Sequence, residues 1–119
     1  MLRAERLVRN QARFRQVNEE VRRAAVFLAD PADEPEAPFE FLCECARRRC
    51  FALVRMTVSE YETVRSDPAS FVVAPGHEIE SIEHVVRKHT GYCVVRKFHP
   101  EPIKIALELD PRRAGTTEL

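Results

Sequence analysis

Three of the chain's four cysteines fall within eight residues, in the stretch Phe39-Glu40-Phe41-Leu42-Cys43-Glu44-Cys45-Ala46-Arg47-Arg48-Arg49-Cys50. In a reducing compartment such a cluster more often binds metal or does redox work than forms structural disulfides. Zinc takes four ligands at tetrahedral corners, with sulfur about 2.3 Å and imidazole nitrogen about 2.0 Å away. Cys43 and Cys45 stand two apart on an expected strand, so their side chains share a face. On one ion their sulfurs would lie only about 3.8 Å apart, so the chain is expected to bend or bulge at Glu44. Cys50 closes the loop from the far side. The fourth ligand must come from elsewhere. His77, on the tight turn Pro75-Gly76-His77, ranks first because such a turn exposes a side chain at a fixed angle. Cys93, in an alternating strand, ranks second as a ligand and reads first as a small core residue. His89, at a turn, ranks third; His84 lies inside a strand and His99 precedes Pro100. The expected site is therefore zinc held by Cys43, Cys45, Cys50 and His77.

Three thiolates and a neutral imidazole on a divalent ion leave one negative charge, which Arg47, Arg48 and Arg49 of the same loop would offset. The same three arginines also read as a solvated loop tip, or as a phosphate-contacting tip of a nucleic-acid-binding knuckle. A catalytic zinc needs an open position and a neighbouring acid or base. Glu44 and Glu78 are near in sequence, but His77-Glu78-Ile79-Glu80-Ser81 carries Ser81 where H-E-x-x-H needs its second histidine. Four protein ligands leave no room for water, so a structural, non-enzymatic site is favoured. A thiol-redox switch is the other rival, through a strained Cys43–Cys45 disulfide or through zinc release on oxidation. The three glycines are isolated and form no nucleotide-binding loop.

The expected fold class is α+β: a long N-terminal helix, then a small antiparallel β domain carrying the zinc knuckle and two short helices. Residues 2–29 read as the helix, an arm with apolar positions at Leu7, Phe14, Val17, Val21, Ala24 and Leu28 and a polar interruption at Asn10. That stripe serves either to lay the helix on its own domain or to pair it with a partner or a second copy. Residues 30–38, with three prolines and four acids, read as a stiff linker. Within the body, 39–111, strands are expected at Phe39–Cys43, Cys50–Met56 and Phe71–Ala74, with a helix from Ser59 to Arg65 behind a Thr/Ser-x-x-acid start signal. Ile79, Ile82, Val85 and Val86 have helical spacing. Their β-branching and the turn at His89-Thr90-Gly91 favour a hairpin with Tyr92–Lys97. Pro100 and Pro102 open a last helix, Glu101 to Leu109. Residues 112–119 are expected to be a disordered tail.

Acids and bases balance at 19 each, so no global charge argues for nucleic acid or an anionic membrane. No apolar run reaches membrane-spanning length, and the N-terminus lacks a signal-peptide core, which points to the cytoplasm. The motif Phe41-Leu42-Cys43-Glu44-Cys45-x4-Cys50, followed by Thr57 to Glu62, Asp67-Pro68, Phe71-Val72-Val73 and Ala74-Pro75-Gly76-His77-Glu78, resembles a widespread family of small uncharacterised bacterial proteins. The resemblance covers roughly residues 5 to 110 and includes the Arg- and Asn-rich helix around Arg9-Asn10-Gln11 and Val17-Asn18-Glu19. It implies no substrate. It joins the cysteine hairpin and the Pro-Gly-His turn in one pattern, which favours His77 over the other histidines. The knuckle tip of such proteins is acidic, and Arg47–Arg49 departs from it.

Overall fold

The computed structural model describes residues 3–113. The chain runs α1 (Arg3–Leu28), β1 (Pro38–Leu42), β2 (Leu53–Thr57), α2 (Val58–Arg65), β3 (Ser70–Val73), β4 (Glu83–His89), β5 (Tyr92–Lys97) and α3 (Pro100–Glu108). This is the expected α+β class and the expected order. Local chemistry sets the boundaries. The Thr57 hydroxyl accepts from the Glu60 amide at 3.0 Å, and the Glu60 carboxylate accepts from the Thr57 amide at 2.8 Å. That reciprocal box satisfies two orphan donors, ending β2 and starting α2. Gly91, at φ 91°, makes the turn between β4 and β5. Pro100 opens α3, where a missing N–H costs nothing.

β1 and β2 pair antiparallel, from Pro38 opposite Thr57 to Leu42 opposite Leu53. β3, β5 and β4 form a second antiparallel sheet with β5 in the middle and a bulge between Val85 and Arg87. Both faces of β3 and β5 are buried. Phe71, Val73, Cys93 and Val95 pack with Val8 of α1, Ile105 and Ala106 of α3, and Cys43 and Cys45. Val72, Tyr92 and Val94 pack with Phe41, Val54, Met56, Tyr61 and Val64. Each fully buried side chain of this size contributes about 1.5–3 kcal/mol.

α1 lies on the body, but by a different face from the expected stripe. The buried residues are Val8, Gln11, Ala12, Arg15, Asn18, Glu19 and Ala25. Val17 and Leu28, both expected inside, are 47% and 71% exposed. The buried face is polar because what it meets is polar. Arg15 donates to the carbonyls of Pro68 (2.8 Å) and Ala106 (2.9 Å), capping a turn and the third helix. Its guanidinium and the Lys97 ammonium both lie over the Phe71 ring, 4.5 and 4.2 Å from the centroid. Gln11 donates to Glu83, which also holds Lys97 at 2.5 Å in a fully buried pair.

The expected tail is ordered where it is described. Arg112 donates to Glu19 at 2.6 and 2.7 Å and to Glu62 at 2.9 Å. Arg65, buried between α1 and the chain end, binds both Glu19 and Asp110. Buried carboxylates facing arginine forks are what hold residues 110–113 in place. Residues 114–119 of the expected tail lie outside the described residues.

Candidate metal centre

β1 stops at Leu42, and the chain then changes partners. The Cys43 amide still bonds the Ala52 carbonyl at 3.1 Å, but the Glu44 amide bonds the Val72 carbonyl at 2.7 Å. The switch carries the backbone from one sheet to the free edge of β3 and supplies the bend expected at Glu44. The second strand starts at Leu53, not Cys50; beyond it, among the described residues, only the Ala52 carbonyl still pairs across, with Cys43. The Pro75-Gly76-His77 turn follows β3 directly. Gly76 takes φ 85°, a conformation other residues resist, and the His77 amide closes the turn on Ala74 O at 3.0 Å.

These two segments bring together one ligand atom each from Cys43, Cys45, Cys50 and His77, all within 4.8 Å of one another. Cys43 Sγ and Cys50 Sγ each lie 3.5 Å from His77 Nδ1. Cys43 and Cys45 are buried, while Cys50 and His77 are half-buried. The group is close enough to hold a metal ion. The sulfurs are also wired for negative charge. The Ala74 amide donates to Cys43 Sγ at 3.1 Å. The Cys45 thiol is pulled down to about 5, first because the Cys43 thiol donates to it and then through the Arg47 amide, His77 and Cys50, against burial. The same bond, with burial, pushes Cys43 far above the ordinary thiol range. The cluster thus favours a thiolate on Cys45.

The remaining candidates are elsewhere. Cys93 is buried in the core beside Val95 and outside the cluster. His84 stacks on Phe98 with centroids 4.0 Å apart, and His89 on Tyr92 at 4.5 Å. His99 packs tilted against Phe98. Arg47, Arg48 and Arg49 are exposed at the tip. Arg47 reaches across to the Gly76 carbonyl at 3.2 Å and so ties the cysteine loop to the histidine turn. Glu78 lies beside His77 with its Oε1 buried and unpartnered among the described residues.

The residue that sequence reasoning placed between two ligands without giving it a role is Glu44. It is fully buried and faces away from the sulfurs. Its carboxylate accepts from Asn18 (2.8 Å), Tyr61 (2.9 Å) and the Val72 amide (3.0 Å). Burial pushes its carboxyl up, and those three donors together with Arg15 pull it back. Asn18 also grips Leu42 on both sides, accepting from its amide (2.8 Å) and donating to its carbonyl (2.9 Å). It acts as a one-residue strand on the free edge of β1. The signal for Glu44 was present: a carboxylate between two ligands of one ion must point the other way, into the body, and a buried carboxylate requires donors. For Asn18 no local signal exists, since its partners lie 24 and 26 residues away.

No protein-family model, no curated protein and no solved structure matches the chain.

Proposed function

We propose that the chain is a zinc-stabilised, non-enzymatic domain that works through protein contacts, with Cys43, Cys45 and Cys50 as thiolates and His77 Nδ1 as ligands. The observation that carries this is the spacing of the four atoms. Bonds of about 2.3 Å to sulfur and 2.0 Å to nitrogen at a tetrahedral angle place S and N about 3.5 Å apart. Both measured sulfur–Nδ1 separations are 3.5 Å. Three sulfurs and an imidazole are a soft donor set that suits zinc, and a thiol that coordinates the ion releases its proton to solvent. Amide donors at Cys43 and Cys45 and the nearby Arg47 would spread the excess negative charge.

Four protein ligands fill a tetrahedron, which supports a structural role over a hydrolytic one. The ion would pin the cysteine loop to the turn after β3, two segments about 30 residues apart in sequence. A reducing, cytoplasmic setting suits free thiolates. No helix among the described residues is long and apolar enough to cross a membrane.

Elemental analysis of purified protein tests the reading. One zinc per chain is expected, with Cys45→Ser and His77→Ala each reducing it to a small fraction and lowering stability by several kcal/mol. Wild-type protein, purified without chelator, that carries no transition metal and gains no stability from added zinc would end the proposal.

A further inference from the structure

The apolar side chains Phe14, Val17, Val21, Ala24 and Leu28 follow one another at steps of three and four residues along α1. The body buries the opposite side of the helix. At 100° per residue the stripe is centred about 130° round from Val8, Arg15 and Asn18. Val17 and Leu28 are 47% and 71% exposed. Ala24 is exposed, and Phe14 and Val21 are half-buried. Four of the eight large apolar side chains that stand exposed among the described residues are on this helix: Val17, Val26, Phe27 and Leu28. Alternating three- and four-residue spacing is a coiled-coil seam, here about 21 Å long. Val8, Ala4 and Leu7 pack on one core cluster and Val21 flanks the other, but Val17, Ala24 and Leu28 are left facing outward, and such a row presents a surface for another helix.

Charge selects the helix. Arg3, Arg6, Arg9 and Arg13 occupy the outer side of the N-terminal half of α1, and all four are exposed. Asp30, Asp33, Glu34 and Glu36 follow its C-terminal end and are exposed as well. The chain is neutral as a whole but carries its opposite charges at opposite ends of the seam. A parallel pairing would set four arginines against four. An antiparallel pairing sets each basic end against an acidic one. When Val17 faces Val21 of a second copy, Phe14 faces Ala24 and Asn10 faces Leu28. The same register carries the Arg3–Arg6 turn of one copy past the Leu28 end of the other, where the acidic segment begins.

We propose that the protein self-associates as a two-fold antiparallel dimer through this seam, with the arginines of one α1 facing the acidic segment after the other. The pairing names a partner for the protein-contact reading above and rests on that reading. An isologous contact of five seam residues and flanking charges per copy is near the small end of stable interfaces, so a dissociation constant of about 10–100 µM is expected.

Sedimentation equilibrium of the full chain, followed with zinc content and circular dichroism, tests this. The expected result is a reversible shift from 13.7 kDa toward twice that mass as concentration rises. Raising salt from about 0.05 to 0.5 M should weaken the dimer several-fold. Val17→Glu and Leu28→Glu should each weaken it about 10-fold or more, with helix content and bound metal unchanged. Arg6→Glu and Asp33→Arg should each weaken it, and the two together should restore it. A monomer at about 1 mM, or a dimer indifferent to Leu28→Glu, overturns the proposal. A dimer that survives Arg6→Glu while the same change abolishes binding of a single-stranded oligonucleotide overturns it in favour of a nucleic-acid surface. Because metal is read in the same samples, loss of the zinc reading and loss of the dimer are told apart.

Discussion

Replacing Glu44 with glutamine keeps the side chain's shape and removes its charge. The carboxylate receives three donors, two on Oε2 from Asn18 and Tyr61 and one on Oε1 from the Val72 amide. An amide offers one acceptor oxygen. Its best orientation keeps Asn18 and Tyr61 and sets its NH2 against the Val72 N–H. One charge-assisted bond, about 1.5–3 kcal/mol, is then lost, and a buried amide is left without a partner at about 1–3 kcal/mol more. Removing a charge from a fully buried position returns part of that, so the net loss should be about 2 kcal/mol. The second effect is on the ion. Glu44 lies between two ligands, and its freedom becomes theirs, so metal affinity should fall about 10- to 100-fold. Urea unfolding of the metal-loaded protein reads the first quantity, and competition with a chromophoric chelator reads the second. The midpoint should move down by about 1 M. Wild-type affinity and a stability change below about 0.5 kcal/mol would refute the view that Glu44 orients the cysteines. Tyr61→Phe is the control: it removes one donor, keeps the Phe41 stack at 4.5 Å, and should cost about 1 kcal/mol with little change in affinity.

Lys97→Met would strand the Glu83 carboxylate in the interior and should cost about 3–5 kcal/mol. Adding Glu83→Gln should recover most of that by denaturant unfolding; a single-variant cost below about 1 kcal/mol would show that the pair is not sealed from water. Acid should act through the Arg112 cluster. For Glu19, burial pushes the carboxyl up, but the hydrogen bonds and charges of Arg112 and Arg65 outweigh it and hold it below its ordinary 4.5. For Glu62 the hydrogen bond from Arg112 leads the downward shift. Both folded values are depressed, so this stabilisation is complete above about pH 5 and is lost as pH falls through the folded values. Wild type and Arg112→Ala should therefore differ in melting temperature near pH 7 and converge as pH falls through the folded values; a constant gap would show that the arginine acts by packing alone.

Much of this architecture was legible because its causes are local. Thr57 and Glu60 announce a helix start from three residues apart, and His89-Thr90-Gly91 announces a hairpin despite the helical spacing of Ile79, Ile82, Val85 and Val86. Cys43, Cys45, Cys50 and His77 were readable as a group because ligand chemistry restricts residue type. The docking face of α1 was not. Its inward side chains, Gln11, Arg15 and Asn18, find partners 24 to 91 residues away, mostly backbone carbonyls and buried carboxylates. Hydrophobic periodicity reports apolar burial and is blind to a face that buries hydrogen bonds. Of the stripe it did report, Val17, Ala24 and Leu28 face outward, while Leu7 and Val21 flank the core. Arg112 was misread for the same reason: a residue past the last helix with no apolar neighbours looks free until Glu19 and Glu62 are known to face it.

Asn18 fastens the chain just before Cys43, and Val72 fastens the residue just after it. A ligand anchored so closely on both sides has no slack with which to swing away by itself. An ion gripped there would depart only when the long helix lets go of the sheet, so the lifetime of the bound state would be set by unfolding of the whole body and not by breathing of a turn.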